Sequence, residues 1–254
     1  MLAVGKALTS SGSLHSPICV AEHLIPFLPG HPVVPTGGEH AIGPISAAPY
    51  GSASILSISW AYIKMLGAEG LKHATKLALL NANYAMDRLK DHYRVKFVND
   101  KNRCAHEFII DLAEFDDKAG LKVMDIAKRL QDYGIHPPTC SWPISTAMLI
   151  EPTESEGLRD VDRFCDAMIK IREEIEEIIS GKQPRDNNVI VNAPHTQQVL
   201  LSEKWDRPYT REQAAYPVPS LRTRKFWPTV SRVDDKYGDL NLVCECGDVS
   251  EYAS

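Results

Sequence analysis

The chain has 254 residues, 44% hydrophobic and 24% charged, with 28 Lys plus Arg against 33 Asp plus Glu and a formal net charge of −5. That length allows one sizeable core or two small domains, and the composition excludes disorder as the main state. An acidic chain has no global electrostatic reason to bind nucleic acid or an anionic membrane. Its apolar runs are short: Ile55 to Leu66 is interrupted by Ser57, Ser59 and Lys64, so no membrane insertion is expected.

Residues 1–50 read as an irregular leader followed by a Pro/Gly-rich loop. Met1 to Val20 carries Lys6, no acidic residue and several serines. That is Ser-rich and acid-poor like a transit peptide, but it lacks the arginines such a segment needs. Pro26, Pro29, Gly30, Pro32, Pro35, Gly37, Gly38, Gly43, Pro44 and Pro49 then forbid a helix. Residues 51–93 are read as two helices. The first carries Ile55, Ile58, Tyr62 and Met65 on one side behind a Ser52 cap, and the second runs from about Leu71 to Tyr93, with a break between Gly67 and Gly70.

Residues 94–181 read as a small α+β domain. Val95–Val98 and Glu107–Leu112 flank the polar Asn99-Asp100-Lys101-Asn102 and are expected as adjacent antiparallel strands. Val123, Ile126, Ala127, Leu130 and Tyr133 mark a helix closed by Gly134. Ala147–Ile150 is a third strand. Thr153-Glu154-Ser155-Glu156 has the form of a capping box ahead of the stripe Leu158, Val161, Cys165, Met168, Ile171, Ile175 and Ile178, which stops at Gly181. Periodicity fades over residues 182–254, an aromatic-rich tail expected to wrap a larger core or an interface.

Several patterns carry chemistry, each beside a plainer reading. The small-residue turn Ser46–Ser54 exposes N–H groups and hydroxyls that suit a phosphate, although its spacing also suits an ordinary capped turn. His106 beside Glu107 reads as a hydrogen-bonded structural residue more readily than as a base. The loop Thr139–Pro143 is equally a pocket wall or a crossover. Glu151, Glu154 and Glu156 suit the capping box and helix dipole better than acid–base work. The tail arginines at 207, 211, 222, 224 and 232 alternate with acids and suit an anion-recognising or subunit-facing rim better than nucleic acid. Six scattered cysteines without a CxxC pair suggest inert thiols in a reducing compartment, and no metal site is expected from them.

A resemblance extends this reading. SAAPYGSASILSISWAYIKML at 46–66, LALLNANY at 77–84, HEFIIDL at 106–112, AKRLQDYGIHPPTCSWP at 127–143, LIEPTESE at 149–156, DRFCDAMIKIREEI at 162–175, WDRPYTREQAAYPVP at 205–219 and KFWPTVSRVDDKYGDLNLVC at 225–244 closely resemble the carboxy-terminal portion of the glycine cleavage system P-protein family. The resemblance implies the small domain of a fold-type-I, pyridoxal-phosphate-dependent enzyme of far greater length, with the tail wrapped around it. Such an enzyme is a mitochondrial glycine dehydrogenase. It decarboxylates glycine and passes the aminomethyl group to the lipoyl arm of the H-protein, and it works beside a P-protein dimer partner.

By that resemblance Ser46, Pro49, Tyr50, Gly51 and Ser52 approach the cofactor phosphate, and His106, Thr139, Trp142, Glu151 and Thr153 face the substrate cleft. Trp205, Tyr209, Arg211 and Glu212 would shape the mouth that admits the lipoyl arm. The sequence also departs from the family. Its Schiff-base lysine belongs to an HKTF-type motif ahead of a GPIGV-like segment. Here Ser16-Pro17-Ile18-Cys19-Val20 follows MLAVGKALTSSGSLH, and Lys6 follows Gly5 rather than His. No catalytic residue is therefore nominated. The expected alternative is a non-catalytic, truncated relative acting at most as an interaction domain.

Overall fold

A computed structural model of the chain describes residues 19–48, 53–242 and 250. They divide into two compact units. One contains the described residues up to Met86 together with 98–108 and 151–161. The other contains 87–97, 109–150 and the described residues from Asp162 onward.

In the first unit the Pro/Gly-rich loop opens with a 3-10 turn, Glu22–Phe27, and is closed by backbone bonds from Gly30 N–H to Ile42 C=O (2.8 Å) and from His40 N–H to Pro26 C=O (2.9 Å). The approach at Pro26 is close enough that a Cβ on Gly38 would stand 2.4 Å from the Pro26 Cα, so only glycine fits there. Helix α1, Leu56–Leu89, follows a 3-10 turn at Ala53–Ile55. The expected break is present at Gly67, whose φ of 60° and ψ of −176° interrupt the helix. Before the break Trp60, Ile63 and Met65 are exposed. After it Ala78, Ala82, Ala85 and Met86 are buried, small side chains that let neighbouring backbone approach. The Ser52 cap lies outside the described residues.

The capping-box reading of Thr153–Glu156 is corrected. The Thr153 hydroxyl pairs with Ser155 Oγ (2.7 Å), and the following helix, Leu158–Ile179, begins beyond it with Gly157 C=O accepting from Asp160 and Val161 N–H. The 151–157 turn is instead stitched to α1. Asn81 Nδ2 donates to the carbonyls of Thr153 (2.9 Å) and Glu156 (3.1 Å), and the Tyr62 hydroxyl donates to Glu154 Oε1 (3.1 Å). The side chains that could cap a helix are spent on holding a turn.

The sheet has the order β1-β2-β4-β3, with β1 at Arg94–Lys96, β2 at Phe108–Asp111, β3 at Thr139–Cys140 and β4 at Ala147–Ile150. β1 and β2 are antiparallel with Val95 opposite Ile110, as the flanking pattern predicts, and β3 and β4 are antiparallel with Cys140 opposite Met148. It is an open sheet in a small mixed α/β architecture. Helices α2 (Ala113–Ala119), α3 (Val123–Asp132) and α4 (Leu158–Ile179) accompany it.

Asp125 secures the start of α3 by accepting from Lys122 N–H (2.7 Å). Gly134 closes it at φ 70°, a left-handed conformation that a Cβ disfavours. In the second unit the core gathers Tyr93, Ile110, Phe115, Ile126, Leu130, Met148, Met168, Ile171 and Ile175, each at most 2% exposed. Each aliphatic member is worth about 1.5–3 kcal/mol of burial. Tyr93 stands edge-on to Phe115 (5.9 Å) and donates its hydroxyl to Met168 C=O (2.7 Å), so its polar end is satisfied inside the core.

The tail is irregular in periodicity yet contains four short helices: α5 (Gln197–Leu200), α6 (Arg211–Ala215), α7 (Leu221–Arg224) and α8 (Asp235–Leu240). Thr196 and Thr210 cap α5 and α6 through their side chains. Helices this short hold through caps and packing rather than propensity. Val189, Ile190 and Ala193 of the tail are fully buried, so this segment supplies core as well as surface.

Candidate functional site

The residues nominated from the sequence fall into separate places. Ser46 is exposed and its hydroxyl donates to Ala48 C=O (2.8 Å). Pro49, Tyr50, Gly51 and Ser52 lie outside the described residues. Thr139 sits exposed on β3. Trp142, in the turn after it, is 63% exposed and joined to Pro143 by a cis peptide bond. Thr153 is exposed in the turn described above. His106 and Glu151 are the nominated pair that folding brings together. His106 Nε2 lies 3.8 Å from Glu151 Oε1 and 3.6 Å from Oε2 of Glu107. Their place follows from the chain path: His106 and Glu107 lead into β2, and Glu151 leaves β4, the neighbour of β2 in the sheet.

A second constellation, which sequence reasoning misses, lies in the other unit. Arg129 on α3 is fully buried, and all its N–H donors are used. Nε and Nη2 grip the two oxygens of Glu174 (2.9 and 2.6 Å). Nη1 donates to Asp132 Oδ2 (3.0 Å) and Ala214 C=O (3.2 Å), and Nη2 also donates to Gln213 C=O (3.0 Å). Asp132 accepts from the backbone N–H of His195 (2.7 Å) and pairs with its Nδ1 (2.8 Å). The other ring nitrogen meets the Tyr209 hydroxyl at 2.9 Å. Burial pushes the Asp132 carboxyl up, but the His195 hydrogen bond and the Arg129 charge outweigh it and hold the group below the ordinary carboxylate value. Burial pushes the Tyr209 phenol up to about 12.

Arg129 and Asp132 share one helix face. His195 is 63 residues beyond Asp132 in sequence, so no local pattern announces the cluster. The aspartate–imidazole–phenol chain resembles a catalytic relay, but every member is buried, and it works here as a buried polar clasp that ties the tail to α3 and α4.

Four of the tail's cations are likewise committed. Arg211 stacks on Trp205 and Arg222 on Tyr216, both at 5.2 Å, and Arg222 also pairs with Glu212. Arg232 reaches Ala193 C=O (2.7 Å) and Asp125 Oδ1 (2.5 Å). Burial lowers the Lys225 amine to about 8, and its Nζ donates to Asp132 C=O. Clefts open in this unit. One of about 670 Å³ is lined by residues including Gln131, His136, Phe226 and Val230, and another of about 380 Å³ by residues including Arg211, Tyr216, Arg222 and Trp227. Burial raises the thiols of Cys104, Cys140 and Cys165, the last to about 11, so none is poised as a nucleophile.

Pyridoxal phosphate needs a lysine for its aldehyde and a cradle of donors for its phosphate. The described residues do not fit it by themselves. Ser46 spends its hydroxyl on a neighbouring carbonyl, and the Lys225 amine is turned onto the end of α3.

An open sheet accompanied by helices and followed by a capped tail defines the class, a small mixed α/β domain. Residues 74–195 match the family described as glycine dehydrogenase, C-terminal domain. Over 237 residues, 93% of the chain, it is 54% identical to the mitochondrial glycine dehydrogenase (decarboxylating) of Dictyostelium discoideum, of which it covers 24%. It is 56% identical to the glycine dehydrogenase (decarboxylating) of Prochlorococcus marinus strain MIT 9303 over 93% of the chain and 24% of the relative. It is 54% identical to the mitochondrial enzyme of Solanum tuberosum over 93% of the chain and 24% of the relative. The chain belongs to the glycine dehydrogenase (decarboxylating) family, the P-protein of the glycine cleavage system, in its carboxy-terminal domain. It spans about a quarter of the length of the curated relatives it matches.

Proposed function

We propose that these residues act as the carboxy-terminal portion of a pyridoxal-phosphate-dependent glycine decarboxylase of the mitochondrion, with the small-domain role of a fold-type-I enzyme. In this reading the whole enzyme takes glycine, releases carbon dioxide and passes the aminomethyl group to the lipoyl arm of the H-protein, beside a P-protein dimer partner. The observation that carries it is identity above one half with named glycine dehydrogenases across more than nine-tenths of the chain. In this reading the described side chains supply part of the cleft. The cofactor's anchor is not among them. On the same reading His106, Thr139, Trp142, Glu151 and Thr153 face the substrate cleft of the whole enzyme, and Trp205, Tyr209, Arg211 and Glu212 help shape the mouth that admits the lipoyl arm. Residues 46–52 approach the cofactor phosphate.

The test is a chimera. The homologous quarter of a full-length relative is replaced by this chain, and glycine-dependent exchange of labelled bicarbonate is measured. Exchange is expected in the chimera and absent when the quarter is deleted. A chimera that folds, binds the cofactor and shows no exchange would overturn the reading. That outcome would favour a non-catalytic relative acting as an interaction domain.

A further inference from the structure

His106, Glu107 and Glu151 present one imidazole nitrogen and two carboxylates whose ligand atoms all lie within 4.8 Å of one another. We propose that these three side chains form a binding site for a divalent cation of the zinc class, with the remaining coordination position open to water or a small anionic ligand.

The distances favour a shared ion over direct pairing. His106 Nε2 stands 3.6 Å from Glu107 Oε2 and 3.8 Å from Glu151 Oε1, beyond hydrogen-bond reach in both directions. Two ligands bound about 2.0–2.1 Å from one zinc ion lie about 3.3–3.6 Å apart at tetrahedral to trigonal angles, close to both distances from His106 Nε2.

Charge points the same way. Two carboxylates converge on a half-buried imidazole, with the three side chains 33%, 23% and 13% exposed for Glu107, Glu151 and His106. A dication matches the charge of two carboxylates and would be the largest local charge in such a site.

The donor set narrows the metal. Imidazole with carboxylate suits zinc, cobalt, iron and manganese, while calcium and magnesium want oxygen alone. Three protein ligands leave a fourth position free, the arrangement of zinc sites that bind a water or a further ligand rather than serve as structural knots. The supports are stiff. Glu107 directly precedes β2 and Glu151 directly follows β4, so two strand ends tether the carboxylates. The scattered cysteines take no part, which separates this site from the thiolate type.

The probe is Co²⁺, whose visible bands report coordination, added to the full chain and then displaced by Zn²⁺. One ion per chain is expected, with ligand-field bands and no sulfur-to-metal charge transfer. His106→Ala and Glu151→Gln should each weaken binding at least about tenfold. Because a variant could fail to fold, the wild-type chain is also treated with diethyl pyrocarbonate with and without Zn²⁺ and its histidines mapped by mass spectrometry. Protection of His106, with exposed His73 modified equally in both, supports the site. Absence of Co²⁺ binding, binding unchanged in both variants, or Zn²⁺ that binds while leaving His106 equally modified would each overturn it.

Discussion

The stretch of α1 before Gly67 and the helices α3 and α4 carry apolar residues at helical repeats and meet opposite fates. Before Gly67, Ile58 and Met65 recur two helical turns apart, yet they are 44% and 84% exposed, and Leu56, Trp60 and Ile63 are 52%, 63% and 43% exposed. In α3 and α4, Ile126, Leu130, Met168, Ile171 and Ile175 recur with the same period and are 0% exposed. A 3.6-residue stripe therefore dictates which face of a helix is apolar but not whether anything covers it. Coverage comes from elements elsewhere in the chain. In the second unit they include a buried ionic clasp, which couples the tail to α3 and α4. A stripe of exposed apolar side chains on the scale of residues 56–66 is unusual for a free-standing soluble domain.

The contrast can be broken most strongly at Arg129. Arg129→Met strands the carboxylates of Glu174 and Asp132 inside the protein, and removing one partner of a buried pair costs about 3–5 kcal/mol. Urea unfolding should show that loss, and an unchanged midpoint would refute the clasp. Next, Leu130→Ala should cost about 2–5 kcal/mol through the cavity it leaves, whereas Met65→Ala on the exposed stripe should stay within about 0.5 kcal/mol. Equal losses at the two sites would erase the distinction. Met65→Lys with Trp60→Glu should also reduce binding of a hydrophobic dye to the chain, and a wild-type chain that binds no dye would contradict the exposed stripe.

The pH effects are smaller and have opposite signs at the two ends of the scale. The folded Asp132 carboxyl lies below its ordinary value of 3.8, so its contribution to stability is complete above that value and is lost as pH falls through the folded pKa. Stability of the wild type should therefore fall more steeply than that of Asp132→Asn on acidification below about pH 4. Parallel curves would exclude the group. At the alkaline end, Lys225 sits near 8 when folded against 10.5 when free, so the unfolded chain holds more protons between those values. Lys225 then adds stability as pH rises across that window. Lys225→Met should remove this increment, measured as the difference in unfolding free energy across the window. A variant that keeps the same upward slope would place its cause elsewhere.

Much of the local structure was legible. Gly67, Gly134 and Gly181 mark helix breaks where the sequence places them, because a positive φ is a property of the residue itself. The antiparallel pair around Asn99–Asn102 was readable from alternation and a polar turn, and β4 from its apolar run. β3 was not, because two bridge residues in a Pro-flanked loop carry no period. The start of α4 was misplaced because Thr153-x-x-Glu156 satisfies the cap rule locally, while Asn81 and Tyr62 of α1 claim that turn through contacts the rule cannot see. At the candidate site, His106 beside Glu107 and the distant Glu151 could be named separately, but the meeting of Glu151 with that pair could not.

By itself, then, the sequence determined the helices, their stops, the principal strands and the kinship with glycine dehydrogenases, since these depend on residue type and order along a few turns of chain. The tertiary structure alone decided which apolar stripes are covered, that Arg129 finds Glu174 45 residues away, and that His106 faces Glu151 across the intervening β2, α2, α3, β3 and β4. Those outcomes turn on loop closure and on the desolvation of charge, which are settled only when distant segments share one interior.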